Sequence, residues 1–330
     1  MSRVVATTPG LYPLPDWAKD ELADLKGRQK SDLISGDEDE TVETAYGEAR
    51  TEVIDRQATA GLDRIVEGQL RWDDLLAHPL VVQEAVETRG IVRYYDNNNF
   101  YREPAITGSL SATGDVGAEL AAAADHADTD RLQAVLPGPY SLADLATDEH
   151  YGDEAALLGA VADCLAAEIE AFPAVETLFV LEPSLVSDPP GDAGERVSDA
   201  IDAVAGATDA DTVLYPYWGA LTEKAHAHVL DAGIDALGYD LVSAPDDSVY
   251  NVQEYGTTAD VALGLVDGQN TLVEEPGTIR ERIDWFEERT PNEDYGTVYA
   301  TTNTELFYLP VGKAWEKLDA LAAAGREVTA

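Results

Sequence analysis

Short apolar runs recur along the chain and alternate with longer segments that are rich in Ala, Asp and Glu. Apolar runs bounded by Gly, Pro, Asn or Asp are typical of buried strands, and apolar residues spaced three and four apart are typical of helices. The pattern predicts strands at Val4–Thr7, Arg64–Val66, Ile91–Tyr95, Leu132–Leu136, Thr177–Leu181, Thr212–Tyr217, Ala236–Val242, Val261–Val266 and Thr297–Thr301. It predicts helices at roughly Glu43–Ala60, Asp153–Phe172, Gly194–Ala205, Leu221–Ala232, Ile279–Glu288 and Gly312–Ala324.

This alternation of strands and helices predicts an α/β fold in which parallel strands are joined by crossover helices. About eight such units in 330 residues favour a (β/α)8 TIM barrel over a Rossmann sheet, with residues 1–330 forming a single barrel domain. The strand candidates exceed eight by one, so we expect one of the two near Arg64 and Ile91 to be a rim strand or part of a hairpin. The sequence has neither a Gly-x-Gly-x-x-Gly after a strand nor a Gly-x-x-x-x-Gly-Lys-Ser/Thr motif, which excludes the two common nucleotide-binding fingerprints.

The charge balance narrows the range of partners. The chain has 64 Asp and Glu against 21 Lys and Arg, a net charge of -43. Duplex nucleic acid and anionic membranes are therefore not expected partners, because both are bound through cationic groups. Since 45% of the residues are hydrophobic, the acids indicate a charged shell around a folded core rather than disorder. Such a shell favours a salt-rich cytoplasm, where counterions screen the repulsion, and an ordinary acidic enzyme is the alternative.

Cysteine content and hydropathy indicate where the protein resides. Cys164 is the only cysteine, which excludes an intrachain disulfide and an all-cysteine metal site. The first residues are too weakly apolar for a signal peptide, and no run of 18 apolar residues is present, so we expect a soluble cytoplasmic protein. The acidic segment Lys30–Glu43 is predicted to be a solvated loop that leads into a helix.

The ends of the predicted strands are where a barrel carries its binding and catalytic groups. Most of them here end in polar, aromatic, Gly or Pro residues, and the same residue types also terminate strands for structural reasons. Glu182 and Asp267 are less easily explained that way, because each follows an apolar run directly and would be partly desolvated. A carboxylate in such a place is typical of a group that binds a ligand or a neighbouring cation.

Several motifs along the chain carry a family resemblance. They are Thr7-Thr8-Pro9-Gly10-Leu11-Tyr12-Pro13, Glu67-Gly68-Gln69 with Arg71-Trp72, Leu136-Pro137-Gly138-Pro139-Tyr140-Ser141-Leu142, Leu181-Glu182-Pro183-Ser184-Leu185, and Leu263-Gly264-Leu265-Val266-Asp267-Gly268-Gln269-Asn270. In order and spacing they resemble cobalamin-independent methionine synthase, a member of the superfamily that also holds uroporphyrinogen decarboxylase. Two positions depart from the family pattern, since Gln69 and Leu181 stand where the family has Glu and Asp.

The resemblance implies an enzyme of two similar barrels, of which the C-terminal one holds a zinc ion that binds the homocysteine thiolate. In that family a His-x-Cys, a Glu and a later Cys ligate the zinc, which lowers the pKa of the thiol. This chain has Tyr215-Pro216-Tyr217, Asp240-Leu241-Val242-Ser243-Ala244-Pro245 and Thr302-Asn303-Thr304 near those places. His226 and His228 lie two apart in a predicted helix and diverge by about 200°, so they cannot share a metal there. We therefore expect no metal and no bound cofactor in this chain.

Other segments resemble the zinc-less N-terminal barrel of the family. They are Pro216-Tyr217-Trp218-Gly219, Tyr95-Asp96-Asn97-Asn98-Asn99-Phe100-Tyr101, Tyr239-Asp240-Leu241-Val242-Ser243-Ala244-Pro245 and Leu309-Pro310-Val311. This resemblance implies the N-terminal half made as its own chain. In the family, that half supports binding of the polyglutamylated methyltetrahydrofolate and buttresses the zinc barrel.

The resemblance implies a methyltransferase component that works with a second methionine synthase-like barrel chain, in which the zinc lies. A methyltetrahydrofolate-type donor and homocysteine are then the substrates. The expected binding residues are Tyr217 and Trp218 for stacking on a pterin, Asp267, Asn270, Asn97 and Glu182 as polar pocket groups, and Arg71 and Arg102 (or Arg93) for a glutamate tail. No general acid or base is identified. Two alternatives stay open: another enzyme of the superfamily, such as a decarboxylase or a cobamide methyltransferase, and a non-catalytic scaffold or regulatory subunit.

Overall fold

The computed structural model describes residues 2–22, 40–72, 76–94, 99–127, 129–291 and 294–326. In chain order the strands are β1 Arg3–Ala6, β2 Ile65–Val66, β3 Val86–Tyr94, β4 Asn99–Ile106, β5 Leu132–Pro137, β6 Thr147–Asp148, β7 Thr177–Leu181, β8 Asp211–Tyr215, β9 Ala236–Asp240, β10 Asp260–Val266 and β11 Thr297–Thr302. The helices are α1 Asp16–Glu21, α2 Glu40–Ala60, α3 His78–Val81, α4 Asp115–Ala124, α5 Pro139–Leu145, α6 Glu154–Ile169, α7 Ser184–Ser187, α8 Gly194–Ala205, α9 Glu223–Val229, α10 Pro245–Tyr255, α11 Pro276–Arg289 and α12 Val311–Arg326.

Eight parallel strands form one curled sheet in the order β1-β11-β10-β9-β8-β7-β5-β2. The backbone N–H groups of Asp63 and Arg64 donate to the carbonyl oxygen of Ala6 at 2.9 and 3.3 Å, so the start of β2 meets the end of β1. Helices follow the strands and cover the outside of the sheet. The prediction of a (β/α)8 barrel is confirmed.

The additional strand is a hairpin outside the barrel, as expected for one of the two candidates. β3 and β4 pair antiparallel, and β6 adds to β4, which gives a separate three-stranded sheet. The predicted strand Ile91–Tyr95 lies in β3, where Ile91 is 69% exposed. Residues 95–98, which include Tyr95, and most of the acidic segment Lys30–Glu43 lie outside the described residues.

Some element boundaries differ from the prediction. The predicted strands Thr212–Tyr217 and Ala236–Val242 end two residues early, at Tyr215 and Asp240. The sequence pattern does not predict helices α4, α5 and α10, nor the short helices α1, α3 and α7. The Pro-Gly-Pro and Ala-Pro segments resemble turns in the sequence, but Pro139 begins α5 and Pro245 begins α10. Proline lacks a backbone N–H, and it is tolerated in a first helical turn because the N–H groups there have no intrahelical partner.

Most of the core is one apolar cluster that extends from Val5 on β1 to Ala324 on α12, and Ile54, Ile65, Ala123 and Leu132 form a smaller second cluster. Inside the barrel, the ring of Phe179 lies 5.6 Å from that of Tyr215 and 6.2 Å from that of Tyr299, measured between centroids. Cys164 is buried on α6, where the Gln83 side-chain amide approaches its sulfur at 3.4 Å. Within the described ranges, no helix is both long and apolar enough to cross a membrane.

Candidate functional site

The carboxyl end of the barrel is crossed by the side chain of Tyr215, the last residue of β8. Its hydroxyl donates to the carbonyl oxygen of Thr302 at the end of β11, at 2.7 Å. Gly238 and Gly264 make room for it, because an added Cβ would overlap the Tyr215 ring at the first position and crowd its hydroxyl at the second. Burial, and then the charge of Asp240, raise the pKa of Tyr215 well above its ordinary value. This tyrosine therefore fills the centre of the barrel mouth.

Next to Tyr215, Asp240 and Asn303 connect the ends of β9 and β11 across β10. The Asn303 amide nitrogen lies 3.1 and 3.3 Å from the two carboxylate oxygens of Asp240. Its amide oxygen accepts the backbone N–H of Gly268 at 2.9 Å. Asp240 also accepts the backbone N–H groups of Val242 and Ser243. Burial raises the pKa of Asp240, and these hydrogen bonds offset part of that rise.

The segments around Tyr215, Asp240 and Asn303 are the ones that the resemblance places near the zinc ligands, and the structure brings all of them together. The donors are nevertheless wrong for zinc, which prefers thiolate, imidazole and carboxylate ligands. Tyrosine and asparagine occupy two of the positions, and the carboxylate of Asp240 is engaged by N–H donors. Across the described part of the chain, no group of three His, Cys, Asp or Glu side chains is placed to hold a metal. The residues present do not fit the family's zinc site.

Glu182 follows β7 and is completely buried. It accepts the backbone N–H of Tyr140 at 2.8 Å, and the backbone N–H and hydroxyl of Ser141 at 2.7 and 2.6 Å. It thus binds the N-terminus of α5, where unpaired N–H groups favour a negative charge. Burial raises its pKa to about 7 despite these bonds. Its role as a pocket group stays a prediction, because all of these bonds are made within the protein.

Asp267 and Asn270 lie in the turn after β10. Asp267 is half-buried and accepts the backbone N–H of Gln269 at 2.9 Å, while its own N–H donates to Glu274 at 2.8 Å. Asn270 is exposed and accepts the N–H of Leu272 at 2.9 Å. The structure thus brings these two predicted residues together at the rim, in a turn that they also help to shape.

Tyr217 and Trp218 follow β8 and contact each other edge to face, with centroids 5.0 Å apart. Tyr217 is fully buried, whereas Trp218 is half-buried with a positive φ of 70°. A positive φ is unfavourable for a bulky residue and is tolerated where the surroundings hold it. Of the two rings, Trp218 is the one that reaches the surface.

Arg71 lies apart from these residues, in a charged cluster beside β2. Its Nη1 donates to Asp115 Oδ1 and Glu119 Oε1, both at 3.2 Å. Arg50 contacts Glu119 as well and lies 3.5 Å from Glu67. The cluster borders a cavity of about 290 Å³ lined by Val42, Glu43, Tyr46, Arg50, Arg71 and Glu119. The predicted tail-binding arginine is therefore already paired with two carboxylates.

Two carboxyl groups of this cluster have pKa values shifted in opposite directions. Burial, followed by the charge of Glu119, raises the pKa of Glu67 to about 7, although Arg50 opposes the rise. Burial alone would raise the pKa of Asp115, but His78 and Arg71 outweigh it and lower the value to about 2. The cluster is an ion network whose members depend on one another.

The remaining predicted residues lie on or near the hairpin. Arg102 is on β4, where it pairs in register with Ile91, and Arg93 is exposed on β3. Asn97 is outside the described residues. The two histidines of α9 differ in their surroundings, since the His226 ring is buried against the Tyr239 hydroxyl at 3.0 Å while His228 packs on Gly194. The two histidine rings therefore lie in different surroundings.

Sequence reasoning did not find Glu305, which lies three residues after the end of β11. Its side chain is 2% exposed, and burial raises its pKa to about 7. The criterion that selected Glu182 and Asp267 was a carboxylate at the carboxyl end of a predicted strand. Glu305 meets an extended form of this criterion, because it ends the polar run Thr302-Asn303-Thr304-Glu305 that follows a strand. From the sequence, Asp240 and Asn303 are expected only to stand near the places of the family's zinc ligands.

Comparisons with known proteins agree on one family. The family model described as "Cobalamin-independent synthase, N-terminal domain" matches residues 82–290. A protein of Saccharolobus solfataricus named "Methionine synthase" is 23% identical over 296 residues, which cover 85% of this chain and 83% of that protein.

A B12-independent methionine synthase from Shewanella sp. W3-18-1, solved in complex with selenomethionine, superposes with a TM-score of 0.79 over 100% of this chain and 98% of that one, at 16% identity. A putative vitamin-B12 independent methionine synthase from Listeria monocytogenes gives 0.70 over 99% of each chain at 18% identity. At these identities, the two structures show a shared fold.

Proposed function

The chain belongs to the cobalamin-independent methionine synthase family through its match to the N-terminal domain, and we propose that it is a methyltransferase component in methionine biosynthesis. The methyl group passes from a reduced folate or a related one-carbon carrier to homocysteine. In that reaction the carrier's C–N bond breaks, a C–S bond forms, the thiol loses its proton and the carrier nitrogen takes one up. A second barrel chain with zinc ligands supplies the metal that activates the thiol.

One observation carries this proposal, namely the network of Tyr215, Asp240 and Asn303 at the carboxyl end of the barrel. The resemblance places it near the family's metal ligands, and its members are bound to one another and to the backbone by hydrogen bonds within the protein. Activation of a thiol requires either a metal or a base that is free to accept its proton. The network offers no such base, because Asp240 is held by Asn303 and by two backbone N–H groups. A binding role in a two-chain system is consistent with this arrangement.

The rim of the same end offers groups for a heterocyclic carrier. Trp218 is a half-buried aromatic ring, and Asp267 and Asn270 place carboxylate and amide groups on the turn after β10. Aromatic rings and a few oriented polar groups are the usual components of small-molecule sites. The Shewanella structure, which has the same fold, is described as a complex with selenomethionine, and this supports an amino acid of the methionine type as the other ligand.

A reconstitution assay tests the proposal. The chain is mixed with a methyl-labelled reduced folate and homocysteine, with and without a zinc-bearing barrel chain from the same organism, in high salt. We expect methionine to form faster when both chains are present than with either chain alone. Full activity of this chain alone, lost on chelation, would contradict the component role.

Calorimetry separates a binding component from a scaffold. We expect heat on titration of this chain alone with the reduced folate at high salt. A chain that raises the partner's activity without binding any carrier would instead be a regulatory scaffold.

A further inference from the structure

Glu305 is a buried carboxylate that receives no hydrogen bond of ordinary geometry from the described residues. Both of its oxygens are inaccessible, and neither makes a hydrogen bond of ordinary geometry with any described residue. Burial of an unpaired carboxylate is strongly unfavourable, so such groups in folded proteins are paired or act on a ligand or an ion. An unpaired carboxylate at the carboxyl end of a barrel therefore needs an explanation.

Other buried carboxylates of this protein are satisfied. Glu182 accepts three hydrogen bonds from α5. Glu168 accepts the backbone N–H groups of Thr113, Gly114 and Val116 at 2.9 to 3.0 Å, at the start of α4. The fold thus provides donors where a carboxylate has a structural role, and it provides none of ordinary geometry for Glu305.

The backbone at Glu305 is held in place by the neighbouring turn. An added Cβ on Gly268 would overlap the hydroxyl and carbonyl oxygens of Thr304 and the carbonyl oxygen of Glu305. The Gly268 N–H is in turn bound to Asn303 at 2.9 Å. Because the two loops are in such close contact, the backbone at Glu305 cannot readily shift to bring its carboxylate to a donor elsewhere in the protein.

The turn after β10 forms the outer side of this position. The Gln269 side chain and the backbone N–H of Glu305 itself lie close enough to the Glu305 carboxyl to lower its pKa as weak hydrogen-bond donors, and residues 269–272 are exposed. Behind them the turn is anchored, since the buried Lys317 binds the carbonyl oxygen of Leu272 and the carboxylate of Glu274. A ligand would have to displace the Gln269 side chain to reach Glu305, while the anchored part of the turn stays in place.

We propose that Glu305 is a ligand-binding carboxylate that accepts a pair of N–H donors from a small molecule bound between the ends of β10 and β11. The two oxygens of one carboxylate can accept two N–H donors of the same ligand. Such charge-assisted hydrogen bonds are stronger than hydrogen bonds between neutral groups. Among the substrates of the proposed function, on which this inference rests, two groups have that chemistry. One is the ammonium group of the amino acid, and the other is the 2-aminopyrimidinone edge of the pterin.

Calorimetric titration distinguishes these sources and tests the inference. Wild type, Glu305→Gln and Glu281→Gln are each titrated with L-homocysteine and, separately, with tetrahydrofolate that carries a single glutamate. Glu281→Gln is the matched control, because it makes the same chemical change on an exposed position of α11. We expect Glu305→Gln to bind one of the two probes at least about tenfold more weakly than wild type does, because one charge-assisted pair is lost. The control should bind both probes as wild type does.

A second readout separates a ligand contact from a structural role. Near neutral pH the Glu305 carboxyl is partly protonated, and an N–H donor pair favours its ionised form, so wild type should release protons on binding. Titrations in two buffers of different ionisation enthalpy measure that release, which should vanish in Glu305→Gln. Equal affinity and equal proton release in wild type and Glu305→Gln would overturn the role of Glu305 alone. Absence of binding of either probe by wild type would overturn the proposed function as well.

Discussion

The side-chain amide of Asn303 bridges Asp240 and Gly268, with its nitrogen 3.1 Å from the Asp240 carboxylate and its oxygen 2.9 Å from the Gly268 N–H. One side chain thus satisfies groups from the ends of β9 and β10 while it follows β11 itself. The resemblance places a cysteine ligand of zinc near this position in the family's other barrel. In this chain Asn303 contributes to the structure of the barrel mouth, and this difference supports the proposal that a partner chain activates the thiol.

Replacement of Asn303 by Ala should destabilise the protein. The change leaves the Gly268 N–H without its acceptor and removes a donor from Asp240, and unsatisfied buried groups of this kind cost about 1–3 kcal/mol each. Urea unfolding at fixed salt measures the loss. Asn270→Ala on the exposed rim is the control, with an expected change of less than about 0.5 kcal/mol. Equal stability of the two variants would show that the bridge contributes nothing.

Gly138→Ala should destabilise the chain through Glu182. An added Cβ would overlap the Glu182 carboxyl group, which is fully buried and fixed by three hydrogen bonds to α5. Overpacking of this kind costs about 1–3 kcal/mol, and a broken bond to the helix adds to it. Thermal unfolding measures the effect, and Gly159→Ala on α6, where an added Cβ meets nothing within 4 Å, serves as the control. A control that unfolds earlier than Gly138→Ala would contradict this assignment.

The sequence predicts the barrel and the approximate places of its strands, because the spacing of apolar residues and the residue types that end a strand are local features, although two strands end two residues earlier than predicted. The role of Glu182 could not be predicted, because its partner is the N-terminus of α5, a helix that the Pro-Gly-Pro segment conceals. The ion pairs of Arg71 could not be predicted from the sequence either, because Asp115 and Glu119 lie more than forty residues along the chain from Arg71, on α4. Which carboxylates lack a hydrogen bond of ordinary geometry depends on such long-range contacts, so the sequence indicates the place of Glu305 and only the structure shows how its carboxylate is paired.

Arg71→Met should destabilise the protein strongly, because it leaves Asp115 and Glu119 in a partly buried place without this cation. Removal of one partner from a buried pair costs about 3–5 kcal/mol, and the exposure of these groups to solvent puts the expectation nearer to about 2 kcal/mol. Arg280→Met, which breaks a pair with Asp284 on the surface of α11, is the control and should cost less than about 1 kcal/mol. Chemical denaturation of both variants gives the comparison. A smaller loss for Arg71→Met than for the control would contradict a structural role of the cluster.

The net charge of -43 makes a prediction about salt. Repulsion between exposed carboxylates destabilises the compact state, and its range falls from about 10 Å at 0.1 M salt to about 3 Å at 1 M. We therefore expect the unfolding temperature to rise steadily from about 0.1 M to about 1 M KCl. An uncharged osmolyte at matched water activity is the control, since it should not reproduce the full rise. An unfolding temperature that stays constant over this range would contradict the interpretation of the acids as a repulsive shell.

The pH dependence of stability should report the ionisation of Glu305. Its pKa is raised from 4.5 to about 7 by burial, so between these values the folded chain keeps a proton that the unfolded chain has lost. The stabilising contribution is complete below pH 4.5 and declines as the pH rises to 7, by about 1.4 kcal/mol per unit and at most about 3 kcal/mol in total.

Because Glu67 and Glu182 titrate in the same direction, the informative quantity is the difference in unfolding free energy between Glu305→Gln and wild type. We expect the glutamine variant to be the more stable protein at pH 8, where wild type must bury a charge, and this advantage to shrink as the pH falls to 5. Urea unfolding across that range at constant KCl, with Glu281→Gln as the parallel control, measures it. A difference that stays constant with pH would mean that Glu305 is ionised throughout in the folded protein and has a donor of its own, which would also remove the basis for its role as a ligand-binding group.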